Sequence, residues 1–142
     1  MLATGSQLVR QSFARLMDAS AVDLLNRIAR NLETHRKPEW IDIHKLRAWR
    51  AGNLIHVDLH LVLPKDLPME MAHHEARVIE ELLAGEFEGN ASVLVHMDPC
   101  DPRHCPICTQ DACRWRSQHA DRMSDWTREH LARSSSEHAN LI

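Results

Sequence analysis

Four cysteines, Cys100, Cys105, Cys108 and Cys113, fall inside one short stretch that reads PCDPRHCPICTQDAC from residue 99 to 113. Thiols clustered this tightly suit a metal or redox site better than a disulfide framework, whose bridges are spread over a fold. The sharpest part is HCPIC, His104 to Cys108, because two thiolates separated by two residues can reach one ion while a turn closes between them. With Cys100 and Cys113 at either side, four soft ligands can build a tetrahedral zinc site, and the same donors also hold copper(I) or an iron–sulfur cluster. Zinc is the conservative assignment. A redox CxxC normally opens a helix after a strand, and the prolines around this segment argue against that setting. The plainer reading, four reduced thiols in a loose tail, sits badly with how readily exposed clustered thiols oxidise.

A second constellation is built from imidazole and carboxylate. Side chains alternate along a strand, so in LIHVDLHLVL His60 can share a sheet face with Asp58, and in SVLVHMDP His96 can share one with Asp98. That donor set suits a divalent first-row ion such as zinc, and His44 in the preceding segment can complete the shell. The plainer reading of any one of these residues is a polar side chain on a solvated sheet face; the coincidence of three histidines and two acids carries the metal reading. His73 and His74 are adjacent on a predicted helix and diverge by about 100°, so they do not share an ion, and one can face a partner. No GxSxG, HExxH or phosphate-cradling glycine loop occurs, and the chain has only four glycines, so it is read as a binding protein rather than an enzyme.

The elements that must position these residues follow from periodicity. Apolar residues recur at helical spacing from Ser6 to about Arg36 (Val9, Phe13, Leu16, then Val22, Leu25, Ile28, Leu32), predicting one or two amphipathic helices that end before Pro38. Residues 42–50 and 54–63 read as two strands joined by a hairpin at Ala51-Gly52-Asn53. In the second strand Ile55, Val57, Leu59, Leu61 and Leu63 line one face. Met69 to about Glu86 returns to helical spacing, with Gly85 or Gly89 as the stop, and 91–98 is a third strand. This order predicts an open sheet with a helix on one face. Ala112 to about Arg133 is weakly amphipathic and predicts a polar last helix, whose Trp115 and Trp126 could dock on a partner. Arg114-Trp115-Arg116 reads as part of its solvated face.

At 142 residues and 44% hydrophobic content the chain suffices for one compact core. A net charge of -3 provides no basic field for nucleic acid, no run of 18 apolar residues could span a bilayer, and the N-terminal segment lacks the apolar stretch of a signal peptide. The expected location is the cytoplasm.

The stretch from Ile41 to Pro99 resembles the cytosolic C-terminal domain of cation diffusion facilitators, the zinc transporter family. It carries that family's H-x-L-R start at His44, a His-bearing hydrophobic second strand, an AH-containing helix at Ala72-His73 and a third strand ending VHxDP. GSQLVRQSFARLMDAS resembles the family's link from its last membrane helix, but the six membrane helices themselves are not present. The resemblance implies an α+β, ferredoxin-like (metallochaperone-like) αββαβ core with N-terminal helices and a Cys-rich segment plus helix after it. The corresponding division is 1–37, 38–99 and 100–142. It further implies zinc at His44, His60, His96 and Asp98, with His73 contributed by the neighbouring subunit of a homodimer, and a membrane metal transporter as partner. Cadmium, nickel and cobalt are other divalent ions for such a site. Three functions follow: a metal-sensing, buffering or delivering domain; a Cys-cluster redox or iron–sulfur protein; and a zinc-stabilised adaptor.

Overall fold

A two-residue hairpin organises the sheet of the computed structural model, which describes residues 21–110, 112–121 and 123–134. Strand β1 (Asp42–Ala51) pairs antiparallel with β2 (Leu54–Leu63) around Gly52-Asn53. Gly52 takes φ +63°, the positive angle that a two-residue hairpin turn needs and that glycine adopts without steric cost. Asn53, the second residue of the turn, is not in the positive-φ region. Helix α2 (Met69–Glu86) then crosses back, and β3 (Ala91–Pro99) lies parallel to β2, giving the order β1-β2-β3. A parallel pair cannot be joined by a hairpin, and α2 supplies the long crossover. It ends at Glu86, and the chain turns away through Glu88 (φ +54°) and Gly89 (φ +79°), whose N–H returns to Ala84 O at 2.8 Å. Helix α1 is described over 21–34; the expected helical residues Val9, Phe13 and Leu16 lie outside the described residues.

One sheet face is the core. Ile55, Val57, Leu59, Leu61 and Leu63 of β2 pack with Ala76, Ile79 and Leu83 of α2 and with Leu24, Ile28 and Leu32 of α1. The α1 stripe is therefore 24/28/32, with Leu25 at its margin and Val22 exposed, a shift from the expected 22/25/28/32. The alternation along β1 is broken by a bulge between His44 and Arg47, where Lys45 takes φ +53°. The extra residue lets Ile43 and Leu46, three apart, both enter the core, while His44 is left for the opposite face. A non-glycine residue in this conformation costs about 1–2 kcal/mol. The Lys45 N–H donates to Arg133 O at 2.9 Å, so the bulge also receives the C-terminal segment.

The expected long last helix is not formed. Among the described residues after Ile107 the helix is the four-residue α3 (Arg128–Leu131), capped by Thr127 Oγ1, which accepts the His130 N–H. Too few apolar residues fall on one stripe of 112–127 to hold a helix by packing, and a short isolated helix is marginal in water. Trp126 and Leu131 go into the main core instead of presenting a face to a partner. Arg116 is likewise not on a solvated helix face; it is part-buried and binds loop carbonyls. No helix among the described residues is long and apolar enough to cross a membrane.

Candidate metal centre

On the face opposite the core, the register places three histidines in one row across the sheet. His44 of β1 stands opposite His60 of β2, and His60 opposite His96 of β3. Their rings pack in sequence, at 5.2 Å between the His44 and His60 centroids and 4.7 Å between those of His60 and His96. Asp98, two residues beyond His96 and so on the same face, brings Oδ2 to 2.8 Å from His60 Nδ1 and 3.5 Å from His44 Nε2. Sequence alternation suggested Asp58 as the partner of His60; the pairing crosses strands instead, and Asp58 Oδ1 stands 3.7 Å from His96 Nε2.

Among the described residues, His44, His60 and Asp98 form the group whose donor atoms all lie within 4.8 Å of one another. Two donors bound to tetrahedral zinc at about 2.0–2.2 Å are roughly 3.4 Å apart, so these separations fit an ion with little movement. The burial gradient also suits a ligand entering from one side: His44 is 4% exposed, His60 and Asp98 are half-buried, and the His96 side chain is 51% exposed. His73, expected from a neighbouring subunit, does not approach this group from its own chain. That residue is exposed on α2, and α2 packs on the core face, so within one chain the sheet separates it from the row.

The site opens into a cleft of about 950 Å³ between the sheet and the segment after Pro99, with His104, Asp121, Asp125 and His130 among its walls. His130, to which sequence reasoning gave no role, brings Nε2 to 2.7 Å from Oδ1 of the fully buried Asp42. Neither residue has a sequence signal for this pairing; only the return of α3 onto β1 brings them together. His104 is used locally: its Nδ1 accepts the Asp101 N–H at 3.1 Å, while the Asp101 carboxylate accepts the Arg103 N–H, a capping box on the 3-10 helix Pro102–Ile107. The Arg103 guanidinium on the same carboxylate holds Asp101 below the usual carboxylate range.

All four cysteines line one small pocket of about 30 Å³, adjoining the cleft through Asp101 and His104. None is in a disulfide. Burial pushes the Cys105 thiol up, but hydrogen bonds from Ser117 and the Gln118 backbone, with the charge of Arg116, outweigh it and leave Cys105 below the ordinary thiol value. Cys100 goes the other way, raised by burial against one hydrogen bond from the Lys65 backbone. The sequence located these thiols but gave no hint of Arg116 or Ser117 as their companions.

Comparison with known proteins places this geometry in a family. The sequence model described as cation efflux protein, cytoplasmic domain, matches residues 22–100. Cation-efflux pump FieF of Yersinia pestis (strain Pestoides F) and that of Yersinia pseudotuberculosis serotype O:3 (strain YPIII) are each 40% identical over 63 residues, or 44% of this chain. The match spans about a fifth (21%) of the length of those relatives. Among solved structures, a chain of CzrB, described as a candidate zinc transporter, is 28% identical with a TM-score of 0.52, covering 56% of this chain and 95% of its own. The copper form of the MamM C-terminal domain has the same fold at 23% identity and a TM-score of 0.50, covering 58% and 89%. With the family match extending over more than half of its length, the chain belongs to the cation efflux proteins and carries their α+β, ferredoxin-like cytoplasmic domain.

Proposed function

We propose that this domain senses divalent metal, zinc first, and passes the occupancy of its sheet site to a membrane metal transporter of which it is a part or a partner. The observation that carries the reading is the cross-strand group His44, His60 and Asp98, with His96 stacked beside it. Two imidazoles and a carboxylate are donors for zinc, and nickel, cobalt and cadmium suit the same set. Family membership supports a metal-related role, and the CzrB description supports zinc among the candidates. In a homodimer the exposed His73 of a second copy is free to approach the open side of the row, which would make the site complete only between subunits. Metal that binds the closed dimer better than the open one then shifts the equilibrium between them, which is the physical content of sensing. The functional division that goes with this reading gives dimerisation and the sheet site to 38–99. The segment from 100 to 142 is an extension, although α1 and Trp126 share the core of that unit. The chain is a binding domain in this account, not an enzyme, and it works on the cytoplasmic side.

The test is zinc affinity by competition with a chromophoric chelator, with oligomeric state followed by light scattering. Asp98→Ala is expected to weaken the sheet site by at least about tenfold, since even groups that only orient ligands are worth about 10–100-fold. Affinity should also fall as pH drops, because imidazole binds metal only when neutral. A folded Asp98→Ala or His60→Ala protein that binds zinc like the wild type would end this assignment.

A further inference from the structure

We infer that Cys100, Cys105, Cys108 and Cys113 constitute a second metal site, a thiolate centre for a zinc-class ion, and that its occupancy clasps the C-terminal segment over the sheet site. The first half stands on the cysteines alone; the second rests on the reading of the sheet site given above.

One short stretch of chain, turning repeatedly on itself, brings all four cysteines to one pocket. Cys100 follows β3 directly, its N–H donating to Leu63 O at 2.8 Å, so it is fixed to the end of the sheet. Cys105 sits in the 3-10 helix that the Asp101/His104 capping box starts. Cys108 follows by a tight turn, N–H to Cys105 O at 3.3 Å, and is buried against Ile41 and Val62 at the margin of the histidine face. Cys113 closes a further turn onto Gln110 O. Arg116 holds the loop from inside: its guanidinium donates to the carbonyls of Cys105, Cys108 and Gln110 at 3.3, 3.2 and 2.7 Å. The four cysteines and Arg116 itself line the pocket that these bonds hold in shape. Cys105 Sγ accepts from both the N–H and the hydroxyl of Ser117 at 3.5 Å, donors that favour a thiolate, which is the form that binds metal.

The sulfurs are not drawn into a group as tight as the sheet ligands. Zinc–sulfur bonds of about 2.3 Å put tetrahedral thiolates roughly 3.8 Å apart, so binding contracts the loop and releases the thiol protons to solvent. That contraction gives the site its mechanical role. Beyond Arg116 the chain runs past Asp121, whose N–H donates to Pro106 O at 2.9 Å, along the wall of the cleft above His44 and Asp98, and into the core at Trp126. One end of this strap is tied by burial of Trp126 and Leu131; the thiolate centre ties the other.

The experiment is cobalt(II) titration of the full chain under non-thiol reducing conditions, read by thiolate-to-cobalt charge transfer and by the d–d bands of tetrahedral cobalt. Expected is one equivalent with the thiolate signature, displaced by zinc, lost in the Cys105→Ser/Cys108→Ser variant and retained in Asp98→Ala. Absence of charge transfer in the wild type, its survival in the double variant, or stoichiometric iron with sulfide in protein purified anaerobically would overturn the site. Hydrogen exchange of residues 117–125 reads the clasp. Zinc should slow it severalfold in the wild type and in Asp98→Ala but not in the double variant, and a charge-transfer band without this protection would overturn the clasp while leaving the site. If Asp98→Ala leaves zinc affinity unchanged while the thiolate band behaves as stated, the sheet-site reading fails and the thiolate centre stands.

Discussion

Trp126→Ala is expected to lower the unfolding free energy by about 3–5 kcal/mol, the range for removing a buried aromatic side chain. For a chain of this size that corresponds to a drop in Tm of roughly 10–20 °C. The indole is 2% exposed and belongs to the same cluster as the sheet and the two long helices. The Arg36 guanidinium lies 4.1 Å over the ring and donates to Ser124 O at 2.6 Å, while the Trp126 backbone N–H donates to Glu33 Oε2 at 3.3 Å. Alanine would leave a cavity and remove the surface on which Arg36 is stacked. Trp126→Phe is expected to cost far less, because the buried indole Nε1 has no hydrogen-bond partner among the described residues and the phenyl ring refills most of the volume. A surface tryptophan waiting for a partner would change stability by about 0.5 kcal/mol at most. Thermal melts of the two variants separate these cases, and near-wild-type stability of Trp126→Ala would mean that the strap is not part of the core.

Glu75→Ala is expected to destabilise by about 2–3 kcal/mol at neutral pH and progressively less in acid. Glu75 lies on the buried face of α2, where its Oε2 accepts from Trp40 Nε1 at 2.7 Å and Lys37 Nζ at 2.8 Å. Alanine leaves the indole N–H of Trp40, a residue 1% exposed, without its acceptor, and an unsatisfied buried donor accounts for most of the expected loss. The exposed side of the Lys37 pair adds little, since solvent screens it. Burial alone would raise the Glu75 pKa; the hydrogen bonds from Lys37 and Trp40, together with the charges of Lys37 and His74, outweigh it and hold the carboxyl below 4.5, its ordinary value. A folded-state pKa below the unfolded one means the carboxylate contributes fully above the unfolded value and loses that contribution as pH falls through the folded one. The gap in Tm between wild type and variant should therefore be constant above about pH 5.5 and narrow below pH 4.5. A gap that widens in acid would show that Glu75 is protonated in the native state. Because this ion pair joins the connector before β1 to α2, it fixes the end of the sheet from which His44 projects.

Periodicity carried far along this chain because the sheet has two unlike faces. Alternation in β2, helical spacing over 69–86 and the glycine at the hairpin each follow from backbone geometry acting on neighbouring residues, and these elements form where the sequence puts them. The same local logic made His44, His60, His96 and Asp98 candidates before any pairing was known, and located the four thiols by spacing alone.

Register, in contrast, is a property of two strands at once. The alignment of His44, His60 and His96 in one row, and the choice of Asp98 over Asp58 as the carboxylate on His60, required the pairing of β1 with β2 and of β2 with β3. The bulge at Lys45 exists because Ile43 and Leu46 must both reach the core, a demand that comes from packing and leaves no mark in local propensity. The described residues between 112 and 133 show the limit most clearly. Their polar composition suggested an exposed helix, yet Trp126 and Leu131 are taken by the core, His130 meets Asp42, and Arg116 gathers the carbonyls around the thiols. Sequence by itself determined which residues carry donor groups of the metal-binding type and which local elements hold them; tertiary structure decided which of them meet, because long-range burial is won by whichever surface an apolar side chain can reach.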